Sequence, residues 1–151
     1  MVIMMDYDAF EKEVYDKNPD LFLQPCGFEI GPGWYNIIRT LCASITMHLK
    51  ENKRIRSVLL QHNPHKYTIP DECPQVTIVQ IKEKFGGLRV YYDGGDGTVE
   101  GMVTMAESWA MHTCEKCGNA GKSRNLRGWI AMLCDVHHAE RLDKMKDEIY
   151  E

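Results

Sequence analysis

Apolar residues recur at helical spacing between Trp34 and Ile45, where Trp34, Ile37, Ile38, Leu41, Cys42 and Ile45 fall at i, i+3, i+4, i+7, i+8 and i+11. One face of a buried helix is predicted there, with Cys42 on its stripe as a small core residue rather than a nucleophile. Before it, Phe10, Val14 and Tyr15 among acids predict a short surface helix over Asp6 to Lys17, and the Pro- and Gly-rich stretch Asn18 to Gly33 predicts turns. Beyond it, Ile55, Val58, Leu59 and Leu60 can extend the helix or open a strand. Pro64, Pro70 and Pro74 then force a surface loop.

The alternating pattern of Val76 to Asp93 is the β signal, broken by Gly86-Gly87 as a two-residue hairpin turn. Pairing across that turn sets Phe85 opposite Leu88, Glu83 opposite Val90 and Ile81 opposite Tyr92, which with Val79 makes one face apolar. The other face sets Lys84 against Arg89, Lys82 against Tyr91 and Gln80 against Asp93. Glu83 on the apolar side needs a cation or N–H donors, for which Arg39 and Arg56 are the candidate partners. Asp93-Gly-Gly-Asp-Gly97 reads as a turn with a helix cap, followed by a helix carrying Val99, Met102, Val103, Ala106, Trp109 and Ala110. A last helix is expected from about Cys134 through Ala139, Leu142, Met145 and Ile149.

Cys114-Glu-Lys-Cys117 and Cys134-Asp-Val-His137 carry the clearest chemistry. Two thiolates on a Gly-containing turn, with a second pair at the same spacing, supply the four ligands of tetrahedral zinc. His138 is an alternative fourth ligand, because i+3 and i+4 both share a helical face with Cys134. Four protein ligands leave no position for water, so the expected zinc is structural. The order of CxxCG turn, a hairpin leaving through Gly128, Trp129, Ile130, Met132 and Leu133, and a helix opening with CxxH predicts a treble-clef-like finger, with Trp129 packed over the metal. The fold class expected is therefore α+β: a short antiparallel hairpin or sheet on helices over residues 1–112, and a zinc finger with the C-terminal helix over 113–151, forming one unit.

Composition narrows the function classes. The 151 residues are 44% apolar and 26% charged, as in a globular protein, and contain no run that would span a membrane. Met1 to Asp6 does not read as a signal peptide. The CxxC and CxxH spacing, with Cys26, Cys42 and Cys73 outside it, argues against a disulfide framework, so a reducing cytoplasm is expected. The formal net charge is −4, yet between Gly33 and Ile130 thirteen Lys or Arg face nine Asp or Glu. An acidic protein can thus present a basic surface to a compact anion. Lys82, Lys84, Arg89 and Tyr91 form that candidate face on the hairpin, with Arg124 and Arg127 of the finger as possible contributors. The ligand chemistry is that of a phosphate, a nucleotide or a carboxylate-rich protein surface.

Three further patterns are weaker. His62-Asn-Pro-His65 with Cys73 can be drawn as a second metal site. Gly31-Pro-Gly33 can offer amides to an anion, although a plain turn suits it better. Treble-clef fingers occur in HNH-type endonucleases, which this chain resembles in its paired CxxC and Cys/His ligands. The intervening segment Lys122-Ser-Arg-Asn-Leu-Arg-Gly-Trp129 lacks the acid and His such enzymes need beside a catalytic metal, so no enzymatic activity is expected.

Taken together, Gln80-Ile-Lys-Glu-Lys-Phe-Gly-Gly-Leu-Arg-Val-Tyr91, Cys114-Glu-Lys-Cys-Gly118 and Gly128-Trp-Ile-Ala-Met-Leu-Cys134 are similar to a family of small bacteriophage and bacterial proteins, over about Gly31 to Glu140. The resemblance implies a phage accessory or anti-defence role in the host cytoplasm, where small proteins sequester nucleotide signals or inhibit host factors. The reading from sequence is a zinc-stabilised, non-enzymatic binder of a nucleotide-like anion. The alternatives are an inhibitor of a host protein and a finger that binds nucleic acid, and an oligomer is compatible with any of them.

Overall fold

The computed structural model describes residues 6–62 and 65–150. The start at Met1–Met5 and the Asn63-Pro64 step of the His62–His65 motif lie outside the described residues. The fold is α+β, as the periodicities predict. Helix α1 (Tyr7–Lys17) buries Phe10 and Val14, and a 3-10 turn at Pro19–Leu21 leads to the short strand β1 (Phe28–Glu29). Helix α2 (Tyr35–His62) follows a second 3-10 turn at Pro32–Trp34. Strands β2 (Thr77–Lys84) and β3 (Gly87–Asp93), helix α3 (Gly97–Ala110), strands β4 (Lys122–Leu126) and β5 (Trp129–Leu133), and helix α4 (Asp135–Tyr150) complete the chain.

Every residue of the predicted Trp34–Ile45 stripe is buried, and Leu49 extends it. Burial pushes the Cys42 thiol up to about 12, which suits an inert core residue. The helix continues past the core to His62, where Val58 and Leu60 are exposed. The following loop returns along this half: Asn52 Nδ2 donates to the Asp71 carbonyl at 2.9 Å, and Asn52 Oδ1 accepts from the Cys73 N–H at 2.9 Å. Around β1 the core is aromatic, with the Phe10 and Tyr35 rings stacked at 3.9 Å and Phe28 tilted against Phe10 at 5.3 Å. The Tyr7 and Tyr15 hydroxyls accept from the amides of Phe28, and of Cys26 and Gly27, which satisfies backbone donors where the chain is too irregular for a ladder.

The three-stranded sheet runs β1-β2-β3. The β2–β3 pair is antiparallel, as expected, but β1 adds in parallel, pairing Phe28 with Ile81. The hairpin register differs from expectation. Its turn is Phe85-Gly86, closed by Lys84 and Gly87, so Glu83 faces Leu88, Ile81 faces Val90, Lys82 faces Arg89 and Gln80 faces Tyr91. Phe85 and Gly86 both have positive φ, 51° and 80°, the backbone a right-twisted two-residue hairpin requires. Moving each partner by two residues preserves the two faces, so the buried set Ile81, Leu88 and Val90 survives while Phe85 is released to solvent at 80% exposure. A bulge between Ile78 and Gln80 turns Val79 outward and sends Ile78 into the core instead.

Glu83 is not held by an arginine. Its carboxylate accepts from the Gly86 amide at 2.5 Å and closes the turn, while Arg39 is paired with Glu13 and Arg56 reaches the Pro70 carbonyl. Asp96 caps α3 as expected, its Oδ1 accepting from the Thr98 and Val99 amides at 3.1 Å each.

Candidate metal centre and the adjoining cleft

The end of α3 delivers the chain to the first two cysteines. Thr113 Oγ1 donates to the Trp109 carbonyl at 2.8 Å, and the buried Trp34 indole donates to the Thr113 carbonyl at 3.0 Å. The Cys114–Cys117 turn closes through the Gly118 amide on the Cys114 carbonyl at 2.9 Å, with Gly118 at φ 79°, a left-handed position glycine occupies without steric cost. The antiparallel β4–β5 hairpin then brings Cys134 to the start of α4, whose first turn carries His137. Turn, hairpin and helix make the expected treble-clef-like finger.

Cys114, Cys117, Cys134 and His137 place one ligand atom each within 4.8 Å of one another. For a zinc–sulfur bond of about 2.3 Å and a zinc–nitrogen bond of about 2.0 Å, tetrahedral geometry requires S···S near 3.8 Å and S···N near 3.5 Å, estimates that follow from those bond lengths. Cys117 and Cys134 are 3.8 Å apart, Cys114 lies 3.5 Å from His137 Nδ1, and Cys134 lies 3.2 Å from the same atom. The spacings fit a tetrahedral ion, and all six cysteines of the chain are free thiols. His137 joins the cluster through Nδ1 and His138 does not, which decides between the two candidate histidines. Glu140 stands 3.9 Å from His137 Nε2, where a carboxylate can orient a ligating imidazole. Burial raises the Cys114 thiol, but backbone amides of Cys134, Cys117 and Lys116 outweigh it and hold the group below its usual range. Burial pushes Cys117 up to about 11, so a bound cation must displace a proton there.

The finger is fastened to the front of α2 by two glycines. Gly31 donates to the Glu115 carboxylate at 3.0 Å and Gly33 to the Glu115 carbonyl at 2.7 Å. The Gly31 amide therefore meets the protein's own Glu115 carboxylate and the Gly33 amide a backbone carbonyl, so both donors of the Gly31-Pro-Gly33 turn are taken up within the fold. Burial raises the Glu115 pKa, and the nearby Glu83 charge adds to it, against the lowering effect of the Gly31 amide.

The predicted basic residues separate into groups. Lys84, Arg89 and Tyr91 are exposed on the outer face of the hairpin and Lys82 is half-buried there, with its ammonium 6.0 Å from the Tyr91 ring. Arg89 donates to the Leu88 carbonyl at 2.8 Å. Arg124 is taken up inside the finger, paired with Asp135 and only 15% exposed, so it is not a free cation for a ligand. Arg127 stands free of hydrogen bonds and ion pairs among the described residues, at the tip of the second hairpin.

The two hairpin tips adjoin, which the sequence left open. Gly86 packs so closely on Ile130 that an added Cβ would lie 2.8 Å from its Cγ2. Between the tips opens a cleft of about 460 Å³ lined by Glu83, Phe85, Arg127, Gly128, Trp129 and Ile130. Trp129, expected over the metal, is 71% exposed on this cleft instead. The tips share one design: Arg127-Gly128 repeats Phe85-Gly86 with φ of 52° and 86°, and Asn125 Oδ1 accepts from Gly128 as Glu83 accepts from Gly86. A bulky non-glycine residue in the left-handed region is strained by about 1–2 kcal/mol, and here both such residues border the cleft. Phe85 and Trp129 each adjoin a glycine turn, a position that reads equally as core or as an exposed tip until the register is known. Cys73, drawn in the sequence with His62 and His65, meets His48 and Asp96 instead.

Comparison with protein-family models, with curated proteins and with solved structures gives no match, so the functional reading rests on this geometry. Among the described residues no helix is long and apolar enough to cross a membrane.

Proposed function

We propose that this chain is a zinc-stabilised, non-enzymatic binding protein whose ligand, a nucleotide-like anion, enters the cleft between the two hairpin tips. The observation that carries the reading is the pairing of two exposed aromatic rings, Phe85 and Trp129, with the unpaired Arg127 guanidinium around a space of small-molecule size. Aromatic faces suit a planar base, and a guanidinium suits phosphate oxygens in a bidentate fork. Lys84, whose ammonium lies 5.9 Å from the Phe85 ring, adds positive charge at the rim, and Lys82 and Arg89 extend it along the hairpin. The zinc locks the second tip in place and takes no part in chemistry, because four protein ligands close its coordination. The basic surface of the sequence reading is thereby narrowed: Arg127 belongs to the site and Arg124 to the scaffold.

Titration calorimetry with ATP, and with inorganic triphosphate as the control lacking a base, tests this. Trp129→Ala and Arg127→Glu are each expected to weaken ATP binding at least tenfold. Unchanged affinity in both, or equal affinity for triphosphate and ATP, would sink the reading. A second reading is a protein partner, favoured by the same exposed Phe85, Trp129 and Arg127, since aromatic and Arg residues dominate binding hot spots. Capture of a host protein that Trp129→Ala abolishes, with no nucleotide affinity, would establish it.

A further inference from the structure

A second group of metal-ligating side chains lies away from the finger and the cleft. His48 comes from the middle of α2, Cys73 from the loop before β2, and Asp96 from the cap of α3, and their ligand atoms all fall within 4.8 Å. His48 Nε2 stands 2.9 Å from Asp96 Oδ2. The other carboxylate oxygen is occupied by the helix amides of Thr98 and Val99, which fixes the carboxylate plane and turns Oδ2 toward the imidazole. Cys73 is equally constrained, because its amide donates to Asn52 Oδ1 on α2, one turn beyond His48. The two loops are strapped together: Gly95 donates to the Pro74 carbonyl at 3.0 Å, and a Cβ on Gly94 would stand 1.9 Å from the Gln75 carbonyl oxygen. Three ligands distant in sequence are thus held by backbone contacts that do not depend on any ion.

We propose that His48, Cys73 and Asp96 form a second divalent-metal site, taking a zinc-class ion through the imidazole, the thiolate and Asp96 Oδ2, with a fourth position open to solvent. The donor set is one nitrogen, one sulfur and one oxygen, which suits zinc or cobalt(II) and disfavours magnesium or calcium. Access comes from one side, where the His48 and Asp96 side chains are 22% and 33% exposed, while Cys73 closes the floor at 3%. Three protein ligands and a free position differ in kind from the closed Cys3His set. This ion would carry an exchangeable water and clamp α2, the 71–76 loop and α3 at one point. The helix-cap bonds to Asp96 serve as the supporting shell that orients a ligand.

The test is a cobalt(II) titration of the metal-free full chain, followed by thiolate-to-cobalt absorption and by native mass spectrometry. Wild type is expected to take two ions, and His48→Gln and Asp96→Asn one each, with folding checked by circular dichroism. A single ion in wild type that persists in His48→Gln overturns the proposal, as does a second ion retained in both variants. A single ion lost in His48→Gln supports this site and counts against the finger. The wild-type count needs no variant, so one ion with the absorption of three thiolates overturns the site even if a substitution fails to fold.

Discussion

Gly33→Ala should be among the most damaging small substitutions in this chain, although it adds one methyl group. Gly33 is buried where the finger meets α2, and a Cβ there would stand 2.0 Å from the Cys114 carbonyl oxygen and 2.6 Å from Glu115 backbone atoms. Real Cβ contacts stay above 3.0 Å, so the two backbones must part by at least 1 Å. The Gly33 N–H···O=C Glu115 bond, now 2.7 Å, would then exceed hydrogen-bond range. Leaving a buried donor and acceptor unpaired costs about 1–3 kcal/mol, and the overpacking itself adds about 1–3 kcal/mol. The expected loss is about 2–6 kcal/mol, a fall in Tm on the order of 4–24 °C for a chain of this size. Gly101→Ala is the control. Gly101 is exposed within α3, has nothing within 4 Å of an added Cβ, and should stabilise by about 0.5–1 kcal/mol. Thermal and urea melts of both variants, with metal content measured alongside, decide the matter. Equal Tm for Gly33→Ala and wild type would refute the argument that the finger docks through backbone contact.

Two further outcomes follow from the same geometry. Glu13 accepts from Arg39 Nε at 2.9 Å and Nη2 at 3.0 Å and from Lys17 at 2.9 Å, and these cations hold its carboxyl below the ordinary 4.5. A depressed folded-state pKa contributes stability that is complete above the unfolded value and is lost as pH falls through the folded one. Glu13→Gln should therefore cost about 0.5–1 kcal/mol at pH 7, discounted for solvent screening, and nothing once the pH is well below 4.5; a cost in urea melts that stays constant to pH 3 would contradict this. Chelation of the finger metal should loosen β4, β5 and α4 while leaving the stripe of α2 protected, read as amide exchange that rises in residues 113–150. Uniform protection with and without metal would show the finger folds without it.

Much of the candidate metal centre was legible because its information is local. Cys114 with Cys117, and Cys134 with His137, are each three residues apart, so one turn or one helical step sets their geometry. Only the choice of His137 over His138 waited for the packed finger. The helix stripe from Trp34 to Ile45 and the cap at Asp96 were readable for the same reason. The cleft was not. The hairpin pattern is unchanged by a two-residue shift of partners, so alternation could not place the turn at Phe85-Gly86, and an aromatic residue beside glycine looks like core until the register releases it. Trp129, expected over the metal from the order of turn, hairpin and helix, lines the cleft at the hairpin tip instead.

The amino-acid sequence by itself determined the class of fold, the buried stripe of α2 and the three cysteines of the candidate finger site, since these depend on spacing within a few residues. Helix α4, by contrast, buries none of its predicted apolar positions. Tertiary structure decided which hairpin tips touch, which arginine is free, and that His48, Cys73 and Asp96 share one place. Most of those facts depend on contacts between segments distant in sequence, such as His48 on Asp96, 48 residues apart, and the Gly31 amide on Glu115, 84 apart. Such contacts arise only once the shared core has formed, and no short-range pattern encodes the distance across it.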